Sequence, residues 1–244
     1  MEVDVGYPSL GLEGRVAVVV GGTSGIGKAL ALGLARAGAD VVASARREAE
    51  VAAAASAIQE LGRKTLRLTC DVADKGSLER LCEATLSELG KVDILVNCAG
   101  RTKRTPTLDV SEDEFGGIVD TNLMGTLRAC QVFARPMLER GYGRIINIGS
   151  LSSFVALYEV AAYAASKAAV VSLTQSLAVE WGNRGVNVNA IAPGVFRTDL
   201  NKALLDGTAR GQELLTRTPL KRFGKVEELV GAAVFLASEA ASFV

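Results

Sequence analysis

Tyr163 and Lys167 stand at the two ends of the run Tyr163-Ala164-Ala165-Ser166-Lys167. On a helix, that spacing puts both side chains on one face, a single turn apart. A tyrosine alone, with a reference pKa near ~10, is a poor acid or base at neutral pH. A lysine cation one turn away favours the phenolate and lowers that pKa. The pair can then move a proton to or from an oxygen under neutral conditions. Ser150 precedes Tyr163 by thirteen residues and follows the run Arg144-Ile145-Ile146-Asn147-Ile148-Gly149. A hydroxyl at a strand end can hydrogen-bond a carbonyl or alkoxide oxygen. Together the three side chains suit proton transfer on a C–OH/C=O couple, which needs a hydride partner. A lone Tyr-x-x-x-Lys pair also fits an ordinary solvent-facing helix, so the rest of the chain must decide.

The decision comes from the other end of the sequence. Val16-Ala17-Val18-Val19-Val20 runs into Gly21-Gly22-Thr23-Ser24-Gly25-Ile26-Gly27. A buried strand that turns into a helix through glycines lets a phosphate approach the backbone. The free N–H groups and positive end of that helix suit a pyrophosphate. Strand, loop and helix in this order mark a dinucleotide site more strongly than the glycines alone. A site for NAD(H) places an acid about 20 residues further on, against the ribose 2′-OH. Here the second strand ends Ala43-Ser44-Ala45-Arg46-Arg47, with no acid, and Glu48 comes too late. Arg46 can pair with a 2′-phosphate, which favours NADP(H) over NAD(H). Ser24 stands where a second basic residue would strengthen that choice.

The 244 residues suffice for one α/β domain with a sizeable core. Hydrophobic residues make up 49% and aromatic ones only 5%, as suits a buried parallel sheet under Ala-rich helices. Strands are expected at Val16–Val20, Val41–Ala45, Thr65–Cys70, Ile94–Asn97, Arg144–Ile148 and Val186–Ile191. Helices are expected at Ile26–Ala37, Ala49–Leu61, Ser77–Leu89, Ser111–Arg140, Ala162–Trp181 and Val226–Ser238. Such alternation implies right-handed crossovers and a single Rossmann-type, doubly wound parallel sheet with helices on both faces. Residues 1–13 read as a lead-in, and residues 196–223 break the rhythm as a substrate-covering lid would.

Twenty-seven basic residues balance 27 acidic ones, so neither a nucleic-acid partner nor a charged membrane surface is expected. No apolar run reaches transmembrane length, and the start lacks the pattern of a secretory signal. Cys70, Cys82, Cys98 and Cys130 are scattered and read as reduced thiols of a cytoplasmic protein. The chain has no histidine, which excludes Ser-His-Asp hydrolysis and any His-ligated metal. No metal is expected.

Taken together, these motifs resemble the short-chain dehydrogenase/reductase family over roughly residues 12–243. Gly21, Gly25 and Gly27 match its TGxxxGxG loop, with Val20 where its threonine usually stands. The resemblance implies that Thr23, Ser24 and Ile26 of that loop also line the cofactor. Asp71-Val72 resembles the family's adenine contact. Asn97-Cys98-Ala99-Gly100 resembles its NNAG motif, with Cys98 in place of the second Asn. Asn122 matches the fourth catalytic residue, which in the family helps hold a water linking the lysine to solvent. Ser150, Tyr163 and Lys167 match the rest of that tetrad, Tyr163 and Lys167 also lying against the cofactor. Pro193, Gly194, Val195 and Thr198 match the stretch that packs on the nicotinamide. Family members continue into a seventh strand with a Gly-rich tail, which a sequence ending at Val244 lacks, so six strands are expected.

The resemblance implies a small carbonyl or hydroxyl substrate. Arg101-Thr102-Lys103-Arg104 puts three cations in the loop after the fourth strand, suited to an anion. A sugar acid or polyol of the gluconate 5-dehydrogenase branch is preferred, with the 3-oxoacyl-carrier-protein reductase branch as the alternative. A non-catalytic NADP-binding scaffold is the rival from another class, disfavoured because Tyr163 and Lys167 are both present. The small-residue helix around Ala161, Ala162, Ala164, Ala165, Ala168, Ala169 and Val170, with the 111–140 segment, suggests a homodimer or homotetramer.

Overall fold

The computed structural model describes residues 9–198 and 201–244. Residues 1–8 of the expected lead-in, and residues 199–200 of the segment expected as a lid, lie outside the described residues. Five parallel strands form one sheet: β1 (Val16–Val20), β2 (Asp40–Ser44), β3 (Ile94–Asn97), β4 (Gly143–Ile148) and β5 (Val186–Ile191). Their order is β2-β1-β3-β4-β5, all in one direction. β1, β3 and β4 are buried along their whole length, as continuous aliphatic runs covered on both faces must be.

The covering helices are α1 (Gly25–Arg36), α2 (Glu48–Glu60), α3 (Lys75–Leu89), α4 (Glu112–Val119), α5 (Gly125–Arg140), α6 (Ala161–Trp181), α7 (Lys202–Leu205), α8 (Ala209–Arg217) and α9 (Val230–Ala237). Alternate strand residues enter two cores. Val18, Val20, Leu95 and Ile145 pack with Phe133 and Met137 of α5 and Leu78 and Leu81 of α3. Ala17, Val19, Ile94, Val96 and Ile146 pack with Leu30 and Leu34 of α1 and Ala233 and Ala237 of α9. Period-two alternation thus feeds one core on each side of the sheet.

Two expectations change in detail. The segment expected as a strand at 65–70 runs beside β2 without a regular ladder. Val41 N–H reaches Lys64 O and Cys70 N–H reaches Ala45 O, both at 3.0 Å, one at each end. Between them the Ser44 hydroxyl donates to Leu68 O at 2.6 Å. A side chain thus takes a carbonyl that a rung would have used. The segment lies on the sheet's outer edge, where only one neighbour enforces register.

The stretch 111–140 is not one α-helix. A π-turn over Asp120–Met124 separates α4 from α5. Gly116, Gly117 and Gly125 flank it and weaken the α-helical hold locally. Hydroxyls brace it on both sides, Thr121 Oγ1 donating to Gly117 O and Thr126 Oγ1 to Asn122 O.

The 196–223 segment contains α7 and α8, and its ends meet. Phe196 bridges to Gly224, and a Cβ on Gly224 would collide with the Phe196 ring. At the β5 edge, the Asn187 amide donates to the carbonyls of Ala241, Ser242 and Val244, and Asn189 donates to Val244 O.

Phe133 has no exposed surface and sits between α3, α5 and the sheet. Phe133→Ala is expected to cost about 3–5 kcal/mol, read as a lowered urea midpoint at unchanged slope.

Candidate active site

The strand ends are level. Val20 pairs with Ser44 on one side and Asn97 on the other, and Asn97 pairs with Asn147. Every loop leaving a carboxyl end therefore lands on the same rim. The order reverses between β1 and β3, so the helices that follow these two strands cover opposite faces of the sheet, and a ligand crevice is expected at the rim above them.

The glycine loop forms one wall. Gly21 has φ +81° and Gly25 φ +50°, conformations that favour glycine. A Cβ on Gly21 would run into Ala99 and Cys98, and one on Gly27 would collide with the Gly21 carbonyl. The loop is thus packed down onto Cys98-Ala99. Ser24 precedes α1, but its side chain makes no capping bond, so the first-turn N–H groups keep their capacity for an anion. Thr198 lies over the loop, its methyl 3.6 Å from where a Gly25 Cβ would be. The Pro193–Thr198 stretch is anchored by Leu151 N–H to Pro193 O at 2.8 Å and Thr198 N–H to Asn201 Oδ1 at 2.8 Å. Asp71 closes its own turn by accepting from Ala73 N–H, and Val72 packs against Gly125. Arg46 is exposed at the end of β2. These residues fit a dinucleotide with its pyrophosphate over the loop.

Across the crevice, Ser150 follows β4 in extended conformation at φ −161°. Its Oγ accepts from Ser152 N–H at 3.1 Å and from Ser152 Oγ at 3.0 Å. Tyr163 and Lys167 project from the first turns of α6, and the Lys167 ammonium is 5.9 Å from the Tyr163 ring centre. Lys167 is buried, and its Nζ donates to Ile148 O at 2.6 Å. Asn122 sits in the π-turn with no exposed surface. Its Oδ1 accepts from Arg101 N–H at 2.8 Å, and its Nδ2 donates to Arg101 O and Ser166 Oγ, both at 3.0 Å. Gly100 fits between the Asn122 and Lys167 side chains, 3.3 and 3.7 Å from its missing Cβ. Ser150, Tyr163 and Lys167 thus gather at the carboxyl end of β4, on the rim that carries the glycine loop, with Asn122 buried behind them. Asn97 is placed differently, in the sheet below: its Nδ2 donates to Asn147 Oδ1 at 2.9 Å and its Oδ1 is a buried atom without a partner.

The electrostatics reverse one expectation. Burial pushes the Tyr163 phenol up, opposed by its hydrogen bond with Ser150, rather than Lys167 pulling it down. Burial also pushes Lys167 itself down to about 8. Desolvation disfavours both charged forms, and the ammonium is turned to a backbone carbonyl. Sequence reading also missed Ser152, whose pattern Ser150-Leu151-Ser152-Ser153 carries no signal of its buried contact with Ser150.

A family model described as short chain dehydrogenase matches residues 15–209. The chain is 40% identical to the gluconate 5-dehydrogenase of Gluconobacter oxydans over 98% of its length and 93% of that protein. It is 37% identical to the 3-oxoacyl-[acyl-carrier-protein] reductase of Escherichia coli, over 96% of its length and 94% of that protein. A crystal structure of a gluconate 5-dehydrogenase from Burkholderia cenocepacia, in complex with NADP and tartrate, superposes with a TM-score of 0.93 at 40% identity, covering 98% of this chain and 93% of that one.

Lys167 gives a pH signature of known sign. Its folded pKa of about 8 lies below the unfolded value near ~10.4, so between them the unfolded chain binds more protons. This group's contribution to stability therefore rises as pH rises from about 8 towards 10. Urea titrations at pH 7.5 and ~9.5 should show wild type gaining stability relative to Lys167→Met over that interval; parallel pH profiles would contradict it.

Proposed function

The chain belongs to the short-chain dehydrogenase family, and on that premise we propose that it interconverts a secondary alcohol and a ketone with NADP(H), acting on a sugar acid or polyol. The observation that carries this reading is that Ser150, Tyr163 and Lys167 gather at the carboxyl end of β4, on the same sheet rim as the glycine loop. When bound, the nicotinamide supplies or accepts the hydride at the substrate carbon. Tyr163 donates its phenolic proton to the carbonyl oxygen during reduction and takes it back during oxidation. Ser150, whose Oγ accepts two hydrogen bonds from Ser152, has its own proton directed to the Tyr163 phenol and can turn it to the same substrate oxygen. Lys167 carries positive charge beside the phenol, and Asn122 supports the proton path beyond it. Gly21, Thr23, Ser24, Gly25, Ile26 and Gly27 would hold the pyrophosphate, Arg46 a 2′-phosphate, Asp71 and Val72 the adenine, and Pro193 to Thr198 the nicotinamide.

The sugar-acid reading draws on the relatives and on the basic loop. Two of that loop's cations are already paired, Lys103 with Glu114 and Arg104 with Glu159. Arg101 has no ion pair among the described residues, and its backbone is bonded to Asn122. It is the cation left for a substrate carboxylate. Exposed Phe154, Val155 and Tyr158 in the loop before α6 favour the second reading, an acyl thioester with an apolar chain. The 196–223 excursion is read as a lid over either substrate.

NADPH oxidation on keto-sugar acids, plain ketones and acetoacetyl thioesters separates these readings, and no turnover on any would favour the scaffold. Tyr163→Phe is expected to lower kcat by at least about a hundredfold while NADPH binding persists; near wild-type turnover would refute its role. Arg101→Gln is expected to raise KM for a keto-sugar acid about tenfold with little change in kcat, as loss of a uniform binding contact does.

Assembly follows from the outer face of α6, where Ala165, Ala168, Ser172 and Val179 are exposed in one chain. A small-residue stripe lets two helices approach closely. Sedimentation at micromolar concentration is expected to show a dimer or tetramer; a monomer would remove this interface.

A further inference from the structure

The chain leaving β2 offers no acid beside the ribose position, since it reads Ala45-Arg46-Arg47. The fold brings one from further along. Glu50 lies in the first turn of α2, and its carboxylate reaches back to the glycine loop. Its Oε2 accepts from Thr23 Oγ1 at 3.3 Å and pairs with the Arg47 guanidinium. Thr23 is buried, whereas the Glu50 side chain keeps about a third of its surface exposed. A carboxylate is therefore held open to solvent between the β1–α1 and β2–α2 turns. Arg47 is engaged by it, and Arg46 makes no ion pair among the described residues.

The dipole of α2 does not account for this placement. Glu48 occupies the same first turn and serves the dipole equally, while its exposed side chain has no bond to the loop. What Glu50 adds is an acceptor and a negative charge at the mouth of the dinucleotide crevice. A carboxylate accepts readily from a ribose hydroxyl. The same charge repels a phosphate placed there, and that phosphate must also compete for Arg47.

We propose that Glu50 is a specificity-determining residue for the cofactor: it accepts the 2′-hydroxyl of an unphosphorylated adenosine ribose and, by its charge and its hold on Arg47, restrains the grip on a 2′-phosphate. The inference rests on the dinucleotide-pocket reading above. It makes the adenosine end two-sided, Arg46 serving NADP(H) and Glu50 serving NAD(H), so that the protein takes both.

The test is binding without turnover. Dissociation constants for NADPH and NADH are measured by nucleotide-fluorescence titration on wild type, Glu50→Gln, Glu50→Asp and Glu48→Gln, with a thermal melt of each without nucleotide. Glu50→Gln is expected to tighten NADPH and weaken NADH, moving the affinity ratio about tenfold towards NADPH. Glu50→Asp, which retracts the charge by one methylene, moves it the same way by less, and it carries the test if Glu50→Gln fails to melt cooperatively. Glu48→Gln leaves the ratio within about twofold of wild type. An unchanged ratio in the Glu50 variants, or an equal shift in Glu48→Gln, overturns the role of Glu50. Wild-type protein that binds neither nucleotide overturns the pocket reading itself.

Discussion

All five strands run the same way, and their ends are in register across the sheet. A parallel sheet cannot be built from hairpins, so each strand must be followed by a helix that returns to the starting edge. Every outgoing loop then collects on one rim, and every returning loop on the other. The glycine loop after β1, Asn97–Gly100 after β3, Ser150 after β4 and Pro193–Thr198 after β5 come from points scattered over the chain. They meet because strand direction leaves them nowhere else to go. The reversal of order at β1 and β3 then sends the helices that follow them to opposite faces of the sheet, leaving a crevice above the strand ends.

Within that crevice the chain accepts a local cost. Lys167 is an ammonium in a nearly closed site, satisfied by one backbone carbonyl of β4. Desolvation lowers its pKa and raises that of Tyr163. Burial thus brings the Lys167 ammonium nearer to losing its proton at neutral pH and takes the Tyr163 phenol further from losing its own. The supports are polar and buried. Asn122 is bonded on three sides through the π-turn, and Ser150 is fixed by the turn that Ser152 and Ser153 close. A π-turn at Asn122 is costly in an ordinary helix, and here it aims a side chain at the Arg101 backbone.

Much of this was legible in the residues. Five aliphatic runs, the glycines between Val20 and Ala29, and the four-residue step from Tyr163 to Lys167 each carry a local physical signal. Period and turn chemistry are properties of neighbouring residues, so the α/β alternation and the site candidates could be read without the fold. At the 65–70 segment the sequence pattern and the ladder part ways because ladder formation depends on the partner strand. Its alternation suits a strand, but Ser44 takes one of its carbonyls. The 111–140 stretch reads as one helical pattern because Gly116, Gly117 and Gly125 weaken a helix without fixing where a wide turn falls.

The residues alone define which groups can do chemistry and the order in which strands and helices alternate. Folding then settles which of those groups share a dielectric environment and which charges neutralise each other. Lys103 and Arg104 look like free cations until Glu114 and Glu159 are folded against them. Glu50 lies past the expected acid position until the first turn of α2 brings it back to Thr23. Tyr163 and Lys167 look like a simple cation–phenolate pair until both are buried. The reason is common to all three: charge interactions depend on distance and solvent access, and neither is a function of separation along the chain.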